Sequence, residues 1–454
     1  MHLLQFTALF LGSLCVAVGQ ADRIQGIVDR QVQPWLDGAG VMGLAVGILE
    51  DGESHQLFYG EVEKGSGQRP NSDTIFEIGS ISKVFTGILL ADLVHRELLT
   101  LNDELQKHLP SDVSLHAHGD QPIRLIDLAT HTSGLPRLAD NMPYSNPLDP
   151  YADYDAQLLH RFLSAHKLRR GVGEFEYSNL GMGLLGHILA RRANLSYEAL
   201  LVERICAPLG MVDTLTSLGA TRMGRFAKPY TSDDEPSSYW DLNVLAGAGG
   251  IRSTCNDMLK FAKANLFPIE TTIADILESA HTVHYNQKNG SALGLAWHRA
   301  GDRSTWWHNG QTGGFSSYLA VNKERKLAVI VLANSGTDKT TVVGEKIFQS
   351  VAGMNVPPIV MEKAIEIDAA LLKDYLGTYP LTPEFKIAVT VEGEKLMIQA
   401  TGQQKIEIYP KAPDEFFLKV VNAKIVFHRN EDGVVEKLVL FQGGQELPGV
   451  KEVD

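Results

Sequence analysis

Three groups of residues in this chain have the types and spacing to move an acyl group. The first is Ser80 and Lys83, in Phe76-Glu77-Ile78-Gly79-Ser80-Ile81-Ser82-Lys83-Val84-Phe85-Thr86-Gly87. A helix beginning at Ser80 puts the hydroxyl and the amine on one face of its first turn. An alcohol is a poor nucleophile until a neighbouring base takes its proton. A lysine serves as that base only when burial or nearby positive charge lowers its pKa from about 10.4. The spacing alone arises by chance roughly once or twice in an average chain of this length, and Ser164-Ala165-His166-Lys167 repeats it here. Context has to carry the reading.

Two further stretches supply that context. Tyr177-Ser178-Asn179 runs into an apolar helix expected over 181–193. A tyrosine hydroxyl can relay a proton between nucleophile and leaving group, and an asparagine amide can hold a lysine and a substrate carbonyl. A second Tyr-Ser-Asn at 144–146 is bracketed by Pro143 and Pro147 with no helix after it, and reads as a pocket rim. The third stretch is His308-Asn309-Gly310-Gln311-Thr312-Gly313-Gly314. Its glycines would let a substrate backbone approach a strand edge, and amides there can bind an oxyanion. His131 reads as structural and His187 as a core or boundary histidine. No Asp, Glu or His spacing fits metal ligands.

The elements that must position these groups can be read from the pattern. Residues 41–50 and 56–60 look like strands joined at Asp51-Gly52, and 80–99 like a helix packed on the sheet. A mostly helical insertion spans about 99–242, with a Pro-, Asn- and Asp-rich loop at 134–150 that shapes a rim. Strands return after Thr305, with a hairpin around Lys323-Glu324-Arg325 and a closing helix near 342–352. A sheet built from two sequence-distant pieces is the economical architecture. After Pro357-Pro358 the texture changes to alternating apolar and polar residues, about six to eight short antiparallel strands that make a small barrel or sandwich over 365–454.

Composition narrows the function classes. With 454 residues, 44% hydrophobic and 21% charged, the chain has the make-up of a globular protein with more than one domain. A net charge of −13 without a basic run argues against nucleic-acid binding. Residues 3–19 are apolar and uncharged, so 1–21 read as a secretory signal, with an uncleaved anchor as the alternative. The remaining 22–356 form the main domain, exported to the periplasm or secreted, with no stable membrane insertion after cleavage. Cleavage removes Cys15; Cys206 and Cys255 sit in apolar, helix-like surroundings and read as buried free thiols.

The order Ser80-x-x-Lys83, Tyr177-x-Asn179 and His308-x-Gly310 resembles the penicillin-recognising serine hydrolases, in the branch of class C β-lactamases, DD-peptidases, D-aminopeptidases and esterases. Leu128-Ala129-Thr130-His131-Thr132-Ser133-Gly134-Leu135-Pro136, Pro208-Leu209-Gly210-Met211 and Gly249-Gly250-Ile251-Arg252-Ser253-Thr254 look like further family segments, and the resemblance covers about residues 25–355. Residues 365–454 are similar to a lipocalin-like C-terminal domain.

The resemblance implies an α/β (α+β) fold, an antiparallel sheet flanked by helices plus a helical subdomain. It also implies an acyl-enzyme route without a cofactor. Ser80 attacks, Lys83 and Tyr177 manage the proton, Asn179, His308 and Gly310 bind substrate, and the amides of Ser80 and Gln311 hold the oxyanion. Substrates would be small molecules or peptides: D-amino-acid peptides such as cell-wall peptide, β-lactams or related amides. An esterase of the same family, or a non-catalytic binding protein on this scaffold, are the alternatives. One departure bears on substrate: His308 stands where many β-lactamases carry a lysine, and a histidine is charged only below about pH 6.5 unless perturbed.

Overall fold

The computed structural model describes residues 2–38, 40–116, 121–168, 170–362, 364–382, 385–401, 403, 405–419, 421 and 423–452, with side chains from Gly19 onward. The apolar residues up to 18, Cys15 included, lie outside the described side chains, so the expected signal segment falls largely there. Two compact units divide the chain, Met1–Ile359 and Val360–Asp454.

In the first unit the described residues form an eight-stranded antiparallel sheet. Its order is Glu53–Gly60, Gly43–Glu50, Leu327–Ala333, Ser316–Asn322, Thr305–Gln311, His298–Arg299, Ala292–Leu293 and Tyr285–Asn286. The expected union of two distant sequence pieces occurs where Gly43–Glu50 pairs with Leu327–Ala333. The sheet begins earlier than expected, because three two-residue strands precede Thr305; two residues are too few to print an alternating pattern.

Every residue of Ser316–Asn322 and Leu327–Ala333 is buried. That continuous burial means both sheet faces are covered. Gly47 sits against Cys255 and Leu259 of the helix Cys255–Leu266, while Tyr318 meets Gly344 of the helix Lys339–Val351. Gly47 is in register with Ile330 and Leu319, one residue out of step with Tyr318. Neighbouring residues on a strand point to opposite faces, so the two helices cover opposite sides. Helix His2–Asp37 packs on Lys339–Val351, and its Ile24, Val28, Val32 and Trp35 are all wholly buried. Their spacing marks one helical face. Among the described residues no helix is long and apolar enough to cross a membrane.

The helix Ser82–His95 is buried from Ser82 through Leu93, enclosed by Asn179–Ala193, Ala246–Gly249 and Ala274–Ala280. A helix covered on all sides has no polar face, which fits its mostly apolar residues, with Ser82, Lys83, Thr86 and Asp92 as buried exceptions. Cys206 and Cys255 are buried free thiols, as expected.

The second unit is an up-and-down meander of eight strands from Gly377–Thr382 to Gln445–Val450, each paired with its sequence neighbour. The Glu452 amide donates to the Thr378 carbonyl at 2.8 Å, drawing the last segment to the first and making a nearly closed barrel rather than a sandwich. Aromatic rings fill the interior: Tyr375 lies 5.0 Å from Phe416 and 4.6 Å from Phe427 between ring centres. The Tyr379 hydroxyl donates to the Tyr375 carbonyl at 2.8 Å, so even the polar ends of these rings are satisfied internally.

Candidate active site

The segment leading to Ser80 is fixed before the helix starts. Ile75–Glu77 pairs with Arg252–Thr254, and the Ile78 amide donates to the Ile251 carbonyl at 3.0 Å. Gly79 then turns at φ +49, a conformation that costs glycine little. Sequence periodicity places the helix start at Ser80; instead Gly79–Ile81 is a 3₁₀ turn and the α-helix starts at Ser82. The shift matters, because three residues per turn eclipses positions i and i+3. Ser80 and Lys83 therefore meet: Nζ lies 2.8 Å from Oγ.

Lys83 is wholly buried, and Nζ also donates to the Ala248 carbonyl at 2.6 Å. Burial, reinforced by the Arg137 guanidinium, holds the amine well below the usual lysine range. Such a shift favours the neutral form of the amine, the form that can accept a proton. The same atom lies 4.9 Å from the centre of the Tyr177 ring.

Tyr177 directly precedes the N-cap of helix Asn179–Ala193. Ser178 Oγ accepts from the Gly181 amide at 2.8 Å, and the Ser178 amide donates to His131 Nδ1 at 3.1 Å. The His131 ring packs 4.4 Å from the Tyr177 ring. His131 is thus structural in a specific sense: its acceptor nitrogen and its face hold Tyr177 in place. The Tyr177 hydroxyl hydrogen-bonds the Ser80 side chain, and burial pushes its pKa up to about 12, so the phenol keeps its proton at neutral pH.

Asn179 is placed differently from the expectation that it would hold the lysine. Its side chain meets the Tyr151 hydroxyl, and the Ala248 carbonyl fills the role at Lys83. Gly310 also has a reason other than substrate access. A side chain there would fall 2.0 Å from the Ile78 carbonyl, so the glycine lets Thr305–Gln311 approach the nucleophile turn. Ser317 Oγ fastens the same turn by donating to the Ile78 carbonyl at 2.8 Å. The exposed Gln311 has its amide nitrogen beside that turn, 2.6 Å from where a Gly79 side chain would begin.

His308 is wholly buried, with Nδ1 donating to the Asn309 carbonyl at 2.6 Å. Burial, then the neighbouring His298 and Lys83, hold it well below the usual histidine range. His298, with its ring 5.1 Å away, is itself lowered by burial to about 4. The strand edge therefore carries no imidazolium at neutral pH. His187 pairs with His160 at 5.5 Å, outside this cluster, and the exposed Tyr144 lies in the rim loop. The Ser164 match sits at the end of the surface helix Ala156–Ala165. Among the described residues no three His, Cys, Asp or Glu side chains converge as metal ligands.

With this geometry in place, comparison decides the family. The beta-lactamase family profile matches residues 28–351. This chain belongs to the beta-lactamase family. It is a serine hydrolase of the β-lactamase/DD-peptidase type. Its relatives include the D-alanyl-D-alanine-carboxypeptidase/endopeptidase AmpH of Escherichia coli K12, 27% identical over 351 residues that cover 71% of this chain and 90% of that one. A beta-lactamase of Pseudomonas fluorescens is 26% identical, covering 69% and 94%. Among solved structures, a beta-lactamase/D-alanine carboxypeptidase from Yersinia pestis aligns with a TM-score of 0.65 at 27% identity, covering 73% of this chain and 98% of that one. Residues 361–451 match a domain of unknown function, DUF3471.

Several residues of this β-lactamase-family site carry no signal in the sequence. Ala248 acts through its backbone, which leaves no trace in residue type. Tyr151 and Trp240, 5.2 Å apart, and Arg137 come from irregular segments without periodicity. Only the charge of Arg137, one residue after Gly134-Leu135-Pro136, could have drawn attention.

Proposed function

We propose that this protein is an exported hydrolase that works through an acyl-enzyme on D-amino-acid peptides, β-lactams or related amides. The observation that carries the reading is the buried Lys83 amine 2.8 Å from Ser80 Oγ. The Ser80 proton passes to Lys83 as Oγ attacks the carbonyl carbon. The backbone amides of Ser80 and Gln311 take the developing oxyanion. As the tetrahedral intermediate collapses, the leaving group receives a proton from the Tyr177 phenol, which is refilled from Lys83. Water then attacks the Ser80 ester, and its proton returns by the same route. The 1–21 leader supports export, and the named activity of the relative from Escherichia coli supports the peptide substrate class.

A second reading, an esterase for small acyl esters, draws on His308. A neutral imidazole gives the strand edge no fixed charge for a substrate carboxylate. The direct test is a panel of a D-Ala-D-Ala peptide, nitrocefin and p-nitrophenyl butyrate, with intact-mass detection of the acyl-enzyme. Ser80→Ala is expected to abolish the adduct and cut turnover by about a thousandfold or more. Undiminished turnover by Ser80→Ala would sink the proposal. Cleavage of p-nitrophenyl butyrate alone selects the esterase reading.

A further inference from the structure

The site holds five basic side chains, and burial opposes the charged form of most of them. Lys83, His131, His298 and His308 are all lowered by burial. Arg137 differs from these four in standing at the surface. It is exposed on the rim loop, with Cζ 5.3 Å from the centre of the Tyr177 ring. No carboxylate pairs with it among the described residues, and Glu176, next to Tyr177 in the chain, is engaged with Arg170 at 3.2 Å. Its backbone is held firmly. The Leu180 amide donates to the Arg137 carbonyl at 3.1 Å, and Ser178 Oγ donates to the Pro136 carbonyl at 2.7 Å. The residues that present Tyr177 thus also present Arg137.

An unpaired cation anchored beside a proton donor is a site for an anion. We propose that Arg137 is a specificity-determining residue that binds a carboxylate on the leaving group. The location follows from the Tyr177 ring. Its hydroxyl meets Ser80 and serves the departing atom, so a guanidinium over that ring stands at the leaving-group end of the substrate. A carboxylate there can take two parallel N–H bonds from the guanidinium fork. The inference rests on the acyl-transfer reading above and selects, within it, substrates that release an acidic product.

A matched pair of esters tests it: 3-acetoxybenzoate, whose leaving group carries a carboxylate, and phenyl acetate, whose leaving group does not. The quantity read is the ratio of their kcat/KM values. Arg137→Gln is expected to lower that ratio about tenfold, mainly through KM, and Arg137→Lys to restore it to within about threefold of wild type. Raising ionic strength should lower the wild-type ratio but leave that of Arg137→Gln flat. An equal ratio in wild type and Arg137→Gln overturns the inference. So does a pH-profile shift common to both esters at constant ratio, which would make Arg137 only an electrostatic neighbour of Lys83. Failure of the underlying reading looks different: Ser80→Ala would turn over both esters at wild-type rates.

Discussion

The two units of this chain use their interiors in opposite ways. The first buries groups that ordinarily carry charge: Lys83, Glu77, His131 and His308 are all nearly or wholly inaccessible. The second buries rings and aliphatics, with Tyr375, Tyr379, Phe416 and Phe427 at its centre, and leaves its ion pairs, such as Arg429 with Asp374 and Asp414, nearer the surface. A buried ionisable group opposes folding unless it is paired or neutralised. The first unit accepts that opposition where a neutral amine or a protonated phenol is needed. The second unit's interior, built of rings and aliphatics, avoids that opposition.

Lys83→Met is the sharpest way to break this contrast. It keeps the shape of the side chain and removes the base, so turnover on any ester is expected to fall by about a thousandfold. Stability should stay within about 2 kcal/mol of wild type, because desolvation of the amine disappears together with its bond to the Ala248 carbonyl. Retained turnover would remove Lys83 from the mechanism. A collapse of the fold would show that its role is structural.

The converse experiment belongs to the barrel. Phe416 is wholly buried and packs edge-on against both Tyr375 and Phe427. Phe416→Ala is expected to lower the stability of the second unit by about 3–5 kcal/mol, measured by denaturant unfolding of the full chain. A loss below about 1 kcal/mol would mean that this interior is not closely packed.

How much of this was legible in the sequence differs between fold and site. Strands such as 316–322 and 327–333 were readable because long apolar runs and a turn are local signals. The three short strands from Tyr285 to Arg299 and the buried face Ile24, Val28, Val32 and Trp35 did not enter the expectation. The first are too short for periodicity, and the second adjoins the apolar leader. At the site, the residue types and order of Ser80, Lys83 and Tyr177 were legible, while their protonation states were not. Burial is a property of the whole fold: His308 reads as a pH-dependent cation in the sequence, yet lies neutral beneath it. Gly310 shows the same limit, since what approaches it closely is the chain's own Ile78 carbonyl.

Glu77 offers the finest test, because it lies three residues before Ser80 and takes no part in the proposed chemistry. Its Oε1 accepts from the Trp240 amide at 2.8 Å, and Arg252 stands 3.8 Å away. Burial outweighs the guanidinium and raises the carboxyl from 4.5 to about 7. The folded state therefore holds a proton that the unfolded chain has released between those values. The stabilisation is complete below about pH 4.5 and is lost as pH rises through about 7, a change on the order of 3 kcal/mol. Glu77→Gln keeps the acceptor for Trp240 and cannot titrate. Urea midpoints of wild type and Glu77→Gln should thus draw together at pH 5 and separate at pH 8 in favour of the variant. Parallel stability curves would mean that Arg252 keeps Glu77 ionised, and the first unit would then bury a true ion pair beside its nucleophile.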